Sequence, residues 1–304
     1  MKGKDLLSIA DLTSDDVHRI LRNAIDLKRQ NKKDALSGKT LALIFEKPSL
    51  RTKVSFDVAM FQLGGHSVYL SQQEIGLGSR EPVADIARTL SRYVNIIAAR
   101  TFSHTTLELL AKYATIPVIN ALSDWEHPCQ ALADILTIYE KKGKLEGITV
   151  AFIGDGNNVS NSLLLACALT GAKFHMASPK GYEVPESIIN KGNHLSEGKA
   201  RISLTEYPEE ACKAADVLYT DVWTSMGQEV EAHKRRRDFT GYQVNDKLLS
   251  IAAKDAIVMH PLPAHYGEEI TEGLVESPQS VIFDQAENRL HIQKALLIEL
   301  LGTS

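Results

Sequence analysis

The sequence predicts an α/β protein made of two doubly wound parallel-sheet domains joined by interdomain helices. Three observations carry that expectation. Short apolar or β-branched runs alternate with helical patterns along both halves, as in parallel strands covered on both faces. The 304 residues are long for one core and natural for two domains of about 150 residues. A polar, glycine-bearing stretch, Lys141-Lys142-Gly143-Lys144-Leu145-Glu146-Gly147, interrupts the pattern near the middle. The expected domains are residues 1–141 and 142–286, with a closing helical stretch over 287–304.

Taken in order, Leu12-Thr13-Ser14-Asp15-Asp16-Val17 places hydroxyl and carboxylate caps ahead of a helix with apolar positions Val17, Ile20, Leu21, Ala24 and Leu27. Strands are expected at 41–45, 67–70, 95–99 and 116–119, with helices between them at about 53–63, 82–93, 105–113 and 128–141. The second half opens with a β-branched strand from Ile148 to Ile153, which enters the tight turn Gly154-Asp155-Gly156-Asn157-Asn158 and then a helix over about 160–171. Further strands are expected at 173–177, 217–220, 256–260 and 281–283, and a last helix from Glu287 to Leu300. The run His233-Lys234-Arg235-Arg236-Arg237-Asp238 reads as a solvated surface segment. There is no internal repeat and no low-complexity tract.

Hydrophobic residues at 44% and charged residues at 24% describe a soluble globular chain. A net charge of −4 gives no general pull toward nucleic acid, so any anion site must be a local basic pocket. Cys129, Cys167 and Cys212 are too few for a disulfide framework and lack metal-ligand spacing, which points to a reducing cytoplasm. The start lacks the apolar core of a signal peptide, and no run approaches the ~18 apolar residues of a membrane span.

Chemistry concentrates in Phe45-Glu46-Lys47-Pro48-Ser49-Leu50-Arg51-Thr52-Lys53, where an apolar strand ends in a turn rich in hydroxyl and guanidinium groups. Ser49 and Thr52 offer hydroxyl donors, Arg51 a planar fork for two oxygens, and the following helix its first amides, which together suit a phosphate. On this segment alone, an ordinary strand-to-helix connection with a solvated basic turn stands as an equal alternative. The Gly154-Asp155-Gly156 turn resembles a dinucleotide-binding turn and raises a rival reading, an NAD-dependent oxidoreductase. It lacks the third glycine, and no acidic residue clearly ends the next strand.

Four more islands are Arg100-Thr101-Phe102-Ser103-His104, His127-Pro128-Cys129-Gln130-Ala131-Leu132-Ala133-Asp134, Asp221-Val222-Trp223-Thr224-Ser225-Met226-Gly227 and His260-Pro261-Leu262-Pro263. With Ser49-Leu50-Arg51-Thr52, and over nearly the whole chain, they resemble the transcarbamoylase family, most closely its ornithine branch. The resemblance implies carbamoyl transfer from carbamoyl phosphate to the δ-amine of L-ornithine, without metal or organic cofactor; the alternative is another transcarbamoylase, acting on aspartate, putrescine or a modified ornithine. It also implies a homotrimer or an assembly of trimers, with no nucleic-acid or membrane partner. The C-terminal helix would pack back on the first domain.

By resemblance, carbamoyl phosphate is held by Ser49, Leu50, Arg51, Thr52, Arg100, His127, Pro128, Cys129, Gln130, Pro261, Leu262 and Arg289. Within that set Arg100, His127 and Thr52 stabilise the developing oxyanion. Asn158, Asp221, Ser225 and Met226 bind ornithine, with Asp221 on the α-ammonium and Ser225 and Met226 closing over the ligand. Asp134, two helical turns after His127, reads as structural support, and direct attack by the amine leaves Cys129 no covalent role.

The chain departs from the family pattern at four points. Pro261 stands where ornithine enzymes typically carry a cysteine, Tyr266 where arginine is usual, and Lys53 where a second arginine is usual. Gly76 stands where a Gln or His commonly reaches into the neighbouring subunit's site. The Ser225-Met226-Gly227 loop and Asn157-Asn158 still favour a basic amino acid as acceptor.

Overall fold

The computed structural model describes residues 1–30, 33–198, 201–225 and 227–302. The chain separates into two compact units, Met1–Ala133 with Glu287–Ser304, and Asp134–Ala286. Both boundaries between the units fall inside helices, Pro128–Lys142 and Ile282–Leu301.

The first unit holds strands β1 (Thr40–Phe45), β2 (His66–Ser71), β3 (Ile96–Arg100) and β4 (Val118–Leu122). They form one parallel sheet in the order β2-β1-β3-β4. Ala42 and Ile44 of β1 join one core with Ile97, Ala99, Leu107 and Leu110, while the alternate residues Leu41, Leu43 and Phe45 are buried as well. A strand buried on both pleat faces is what the continuous apolar run required. The register slips between Ala99 and Arg100, which pair with Asn120 and Leu122, so β4 carries one extra residue just where Arg100 ends β3.

The second unit holds β5 (Thr149–Ile153), β6 (Lys173–Ala177), β7 (Ile202–Thr205), β8 (Val217–Thr220) and β9 (Ile257–Met259), all parallel in the order β7-β6-β5-β8-β9. Winding reverses between β1 and β3 in the first sheet and between β5 and β8 in the second. Loops leaving the carboxyl ends of such strand pairs form ligand crevices.

Three sequence expectations need correction. The strand expected at 281–283 is instead the start of helix Ile282–Leu301. Only the preceding residues touch the sheet: Ser280 bridges Val258, and Val281 N–H donates to the Val258 carbonyl before the chain turns helical. Strand β7 was not anticipated, because Ile202-Ser203-Leu204-Thr205 is short and only half-buried. In the charged run, Arg235 is buried although its neighbours His233, Lys234, Arg236 and Arg237 are exposed.

Candidate functional site

In the first unit, β1 leads through Glu46-Lys47-Pro48 to Ser49, which caps helix Leu50–Gln62 by accepting a hydrogen bond from Thr52 N–H at 3.3 Å. The helix therefore begins three residues earlier than its periodicity suggested, and Leu50, Arg51 and Thr52 form its first turn. Amides in that position favour an anion. The Leu50 side chain is 72% exposed, which leaves only its backbone for such a role. Glu46 ties this turn to the next loop, receiving Phe102 N–H at 2.6 Å while its own N–H donates to the Arg100 carbonyl.

His127 sits just ahead of helix Pro128–Lys142, and its loop is fixed from behind. The Asn120 side-chain amide donates to the Glu126 carbonyl, and the buried Glu126 carboxylate accepts from Ser8 Oγ and from Ile9 N–H. Arg289, on helix Ile282–Leu301, donates to Gln130 Oε1 at 2.7 Å and to Thr52 Oγ1 at 3.1 Å. This one guanidinium fixes a side chain from each of two helices. Because Thr52 Oγ1 accepts from Arg289, its own O–H proton can be donated elsewhere.

Four cations gather in this cluster. Burial, followed by the nearby charges of Arg289, Arg100, Lys47 and Arg51, pushes the His127 imidazole well below its ordinary range. The ring is therefore neutral near pH 7, with hydrogen bonds rather than charge to offer. Burial first, then Arg289 and Arg51, lowers Arg100 to about 10, which still leaves it charged. Arg100 Nε is buried with no hydrogen-bond partner among the described residues. Cys129 is different: its thiol lies against the Asn120 carbonyl and burial pushes it up to about 12, the opposite of an activated nucleophile. Pro128 is buried at the first position of its helix.

In the second unit, β5 is followed by Gly154, whose φ of +147° lies outside the range most side chains tolerate. A Cβ on Gly156 would lie 2.3 Å from the Glu183 carbonyl carbon, so this glycine serves close backbone packing. Asn157 then caps helix Asn158–Thr170, accepting from Val159 N–H and Ser160 N–H, and its side-chain amide donates to Asp221 Oδ2 at 2.8 Å. Asp221 follows β8 and is 7% exposed; burial raises it above the ordinary carboxylate range, against the opposing pull of His260 and the Asn157 hydrogen bond. Asn158 is half-buried in the first turn. Ser225 N–H donates to Gln228 Oε1, and Met226 lies outside the described residues.

The His260 segment is held from within the same unit. Leu262 N–H donates to His260 Nδ1 at 2.9 Å, so the ring proton lies on Nε2 and points to Glu269 Oε1 at 3.1 Å. That contact offsets part of the cost of Leu262 at φ +56°. The Leu262–Pro263 bond is cis, and Pro261 is buried. Behind this segment, Asp134 accepts from Tyr219 Oη at 2.9 Å and from Gln285 Nε2 at 2.7 Å, and Gln285 Oε1 accepts from His260 N–H. Asp134 is thus buried support, and Tyr219 and Gln285 are supporting residues that sequence reasoning missed. Hydrophobic strand patterning hid the tyrosine, and no local motif marks the glutamine.

Among the described residues, His265, Glu268 and Glu269 are the one group that brings three ligand atoms within 4.8 Å of one another. One oxygen of each carboxylate already has a partner: Glu269 Oε1 accepts from His260 and from the His265 backbone N–H, and Glu268 Oε1 pairs with Arg236 at 2.9 Å. The three cysteines are buried and unbonded, and no helix among the described residues is long and apolar enough to cross a membrane.

Comparison with known proteins gives the family. The aspartate/ornithine carbamoyltransferase carbamoyl-P binding domain matches residues 4–140, and the Asp/Orn binding domain of the same family matches residues 146–300. An ornithine carbamoyltransferase of Anoxybacillus flavithermus is 53% identical, with 99% of this chain and 98% of that protein covered. One of Archaeoglobus fulgidus is 52% identical, covering 98% of each. The solved ornithine carbamoyltransferase of Pyrococcus furiosus superposes with a TM-score of 0.95 at 50% identity, over 99% of this chain and 98% of that one. With both family domains matched in order along almost its whole length, the chain belongs to the aspartate/ornithine carbamoyltransferase family.

Proposed function

We propose that this protein transfers the carbamoyl group of carbamoyl phosphate to the δ-amine of L-ornithine, giving L-citrulline and phosphate. The observation that carries the first half of this reading is the cluster around His127, where four cations, Arg289, Arg100, Lys47 and Arg51, press the imidazole pKa down. A dianion with a reactive carbonyl needs such a setting. Ser49, the first-turn amides of Leu50 and Arg51, and the Arg51 fork would take the phosphate. Arg100, neutral His127 and the Thr52 hydroxyl would donate to the carbonyl oxygen, with Gln130 presenting its amide in the orientation that Arg289 imposes. For Cys129 and Pro128 only the backbone and ring surface remain as contacts. The roles of Pro261 and Leu262 toward carbamoyl phosphate rest on the family pattern alone.

The chemistry follows from those donors. The neutral amine attacks the carbonyl carbon, a C–N bond forms, and negative charge gathers on the oxygen that Arg100, His127 and Thr52 face. Collapse of the tetrahedral intermediate breaks the C–O bond to phosphate, and the proton lost by the amine leaves with the phosphate. Positioning and preorganised donors supply the acceleration. Asp221 would bind the α-ammonium of the acceptor, with Asn158 and Ser225 beside it; Met226 is assigned by resemblance. A buried carboxylate at that place disfavours aspartate, whose second carboxylate would add to its charge.

A homotrimer or an assembly of trimers in the cytoplasm completes the reading. Its support is the set of exposed apolar side chains Leu50, Val54 and Phe61 on helix Leu50–Gln62, with Val68 on edge strand β2. The test is an acceptor panel with carbamoyl phosphate: citrulline formation is expected with ornithine, and carbamoyl aspartate or carbamoyl putrescine as the main product would overturn the reading.

A further inference from the structure

Arg235 stands in a charged run whose other cations are exposed, yet it is 6% exposed itself. Its Nη1 donates to Asp155 Oδ2 and to the Trp223 carbonyl, both at 2.9 Å, and its Nε donates to Glu231 Oε2 at 3.1 Å. The guanidinium also lies 5.1 Å from the centre of the Tyr182 ring. One side chain on helix Ala232–Asp238 therefore grips two other segments. Asp155 lies in the turn after β5, two residues before Asn157, and Trp223 lies in the loop after β8, two residues past Asp221. The Asn157–Asp221 hydrogen bond joins those same segments on the other side.

We propose that Arg235 is a positioning residue for the acceptor amino acid, fixing the Asn157-Asn158 turn against the Asp221–Ser225 loop through Asp155 and the Trp223 carbonyl without touching the substrate. The inference rests on the reading of Asp221 and Asn158 as the acceptor site. Its physical basis is geometric. A guanidinium can meet a carboxylate and a carbonyl at once in a fixed plane, whereas an ammonium at the same place is a point charge on a shorter reach. Burial pushes Asp155 up to about 6 even with Arg235 beside it, so the carboxylate is costly to keep there and is retained with a partner that also holds the loop. A displacement of about 1 Å in such a frame is enough to lower a rate about a hundredfold.

The test uses steady-state kinetics of the intact enzyme with Arg235→Lys, with the double variant Asp155→Asn/Arg235→Gln, and with Asp221→Asn in parallel. Arg235→Lys keeps the charge near Asp155 but loses the simultaneous grip on Trp223. It is expected to raise KM for ornithine about tenfold or more while KM for carbamoyl phosphate stays within about twofold. The double variant removes the buried charges together, so it should recover thermal stability toward the parent without recovering ornithine KM. A purely structural role predicts the reverse: lowered stability in Arg235→Lys with ornithine KM unchanged, or equal loss for both substrates, and either result would overturn the inference. If Asp221→Asn raises ornithine KM while Arg235→Lys does not, the inference alone fails. If Asp221→Asn leaves ornithine KM unchanged, the acceptor reading fails and the inference with it.

Discussion

Arg289 Nη1 donates to Gln130 Oε1 across 2.7 Å, joining two buried side chains 159 positions apart in sequence. The same guanidinium reaches Thr52, so a helix near the carboxyl terminus sets the orientation of donors on two helices of the amino-terminal half. Replacing Arg289 with Met should therefore weaken carbamoyl phosphate binding by about ten- to a hundredfold, since a charge-assisted hydrogen bond contributes about 1.5–3 kcal/mol. Calorimetric titration with carbamoyl phosphate measures this. An unchanged affinity would remove Arg289 from the site.

His127 gives a pH signature. Its folded-state pKa is depressed, by burial first and then by neighbouring cations, so the unfolded chain binds the proton more readily. Stability from this group is full above the ordinary value of about 6.5 and is lost as pH falls below it, at up to about 1.4 kcal/mol per pH unit. His175 and His291 are also depressed, and a comparison with His127→Asn cancels them. Between pH 6.5 and 5, the parent should lose stability to denaturant more steeply than the variant. Parallel curves would contradict a neutral, buried His127.

Asp221→Asn should weaken ornithine binding about ten- to a hundredfold and leave carbamoyl phosphate binding nearly intact, because the lost charge faces only the amino acid. Separate titrations with the two ligands decide it. Equal weakening of both would make Asp221 a structural residue, holding Asn157 and nothing more.

Much of this was legible in the sequence. The strand-to-helix alternation located eight of the nine strands among the described residues to within three residues at either end, because buried parallel strands are continuous apolar runs. The anion turn could be read from Ser49, Arg51 and Thr52, since a phosphate needs hydroxyls, a fork and first-turn amides in one place. The fold's support was not legible. The grip of Arg235 on Asp155 looks like any charge run until helix Ala232–Asp238 packs its middle residue inward. The Asp134–Tyr219–Gln285–His260 network joins residues up to 151 positions apart through side chains, and no local pattern encodes such distances. The strand expected at 281–283 failed for a related reason: Val281 makes one ladder bond, and the helix begins at the next residue.

Pro261 bears on amine activation. An alkyl ammonium ionises near 10.4, so the reaction draws on a minor free-amine form. Without a thiol at this position, the activity optimum should lie well on the alkaline side. Pro261→Cys should lower ornithine KM or move the optimum toward neutrality. A folded variant with unchanged pH profile and unchanged KM would place amine activation elsewhere.

Isotope-edited infrared spectroscopy of ¹³C-labelled carbamoyl phosphate tests the central claim, that Arg100, neutral His127 and Thr52 polarise the carbamoyl carbonyl. Binding to the parent protein should move the carbonyl stretch to lower frequency, and His127→Asn should recover a large part of that shift toward the value in water while still binding the ligand. A carbonyl frequency in the parent equal to that of free carbamoyl phosphate, or a shift that His127→Asn leaves unchanged, would contradict the account.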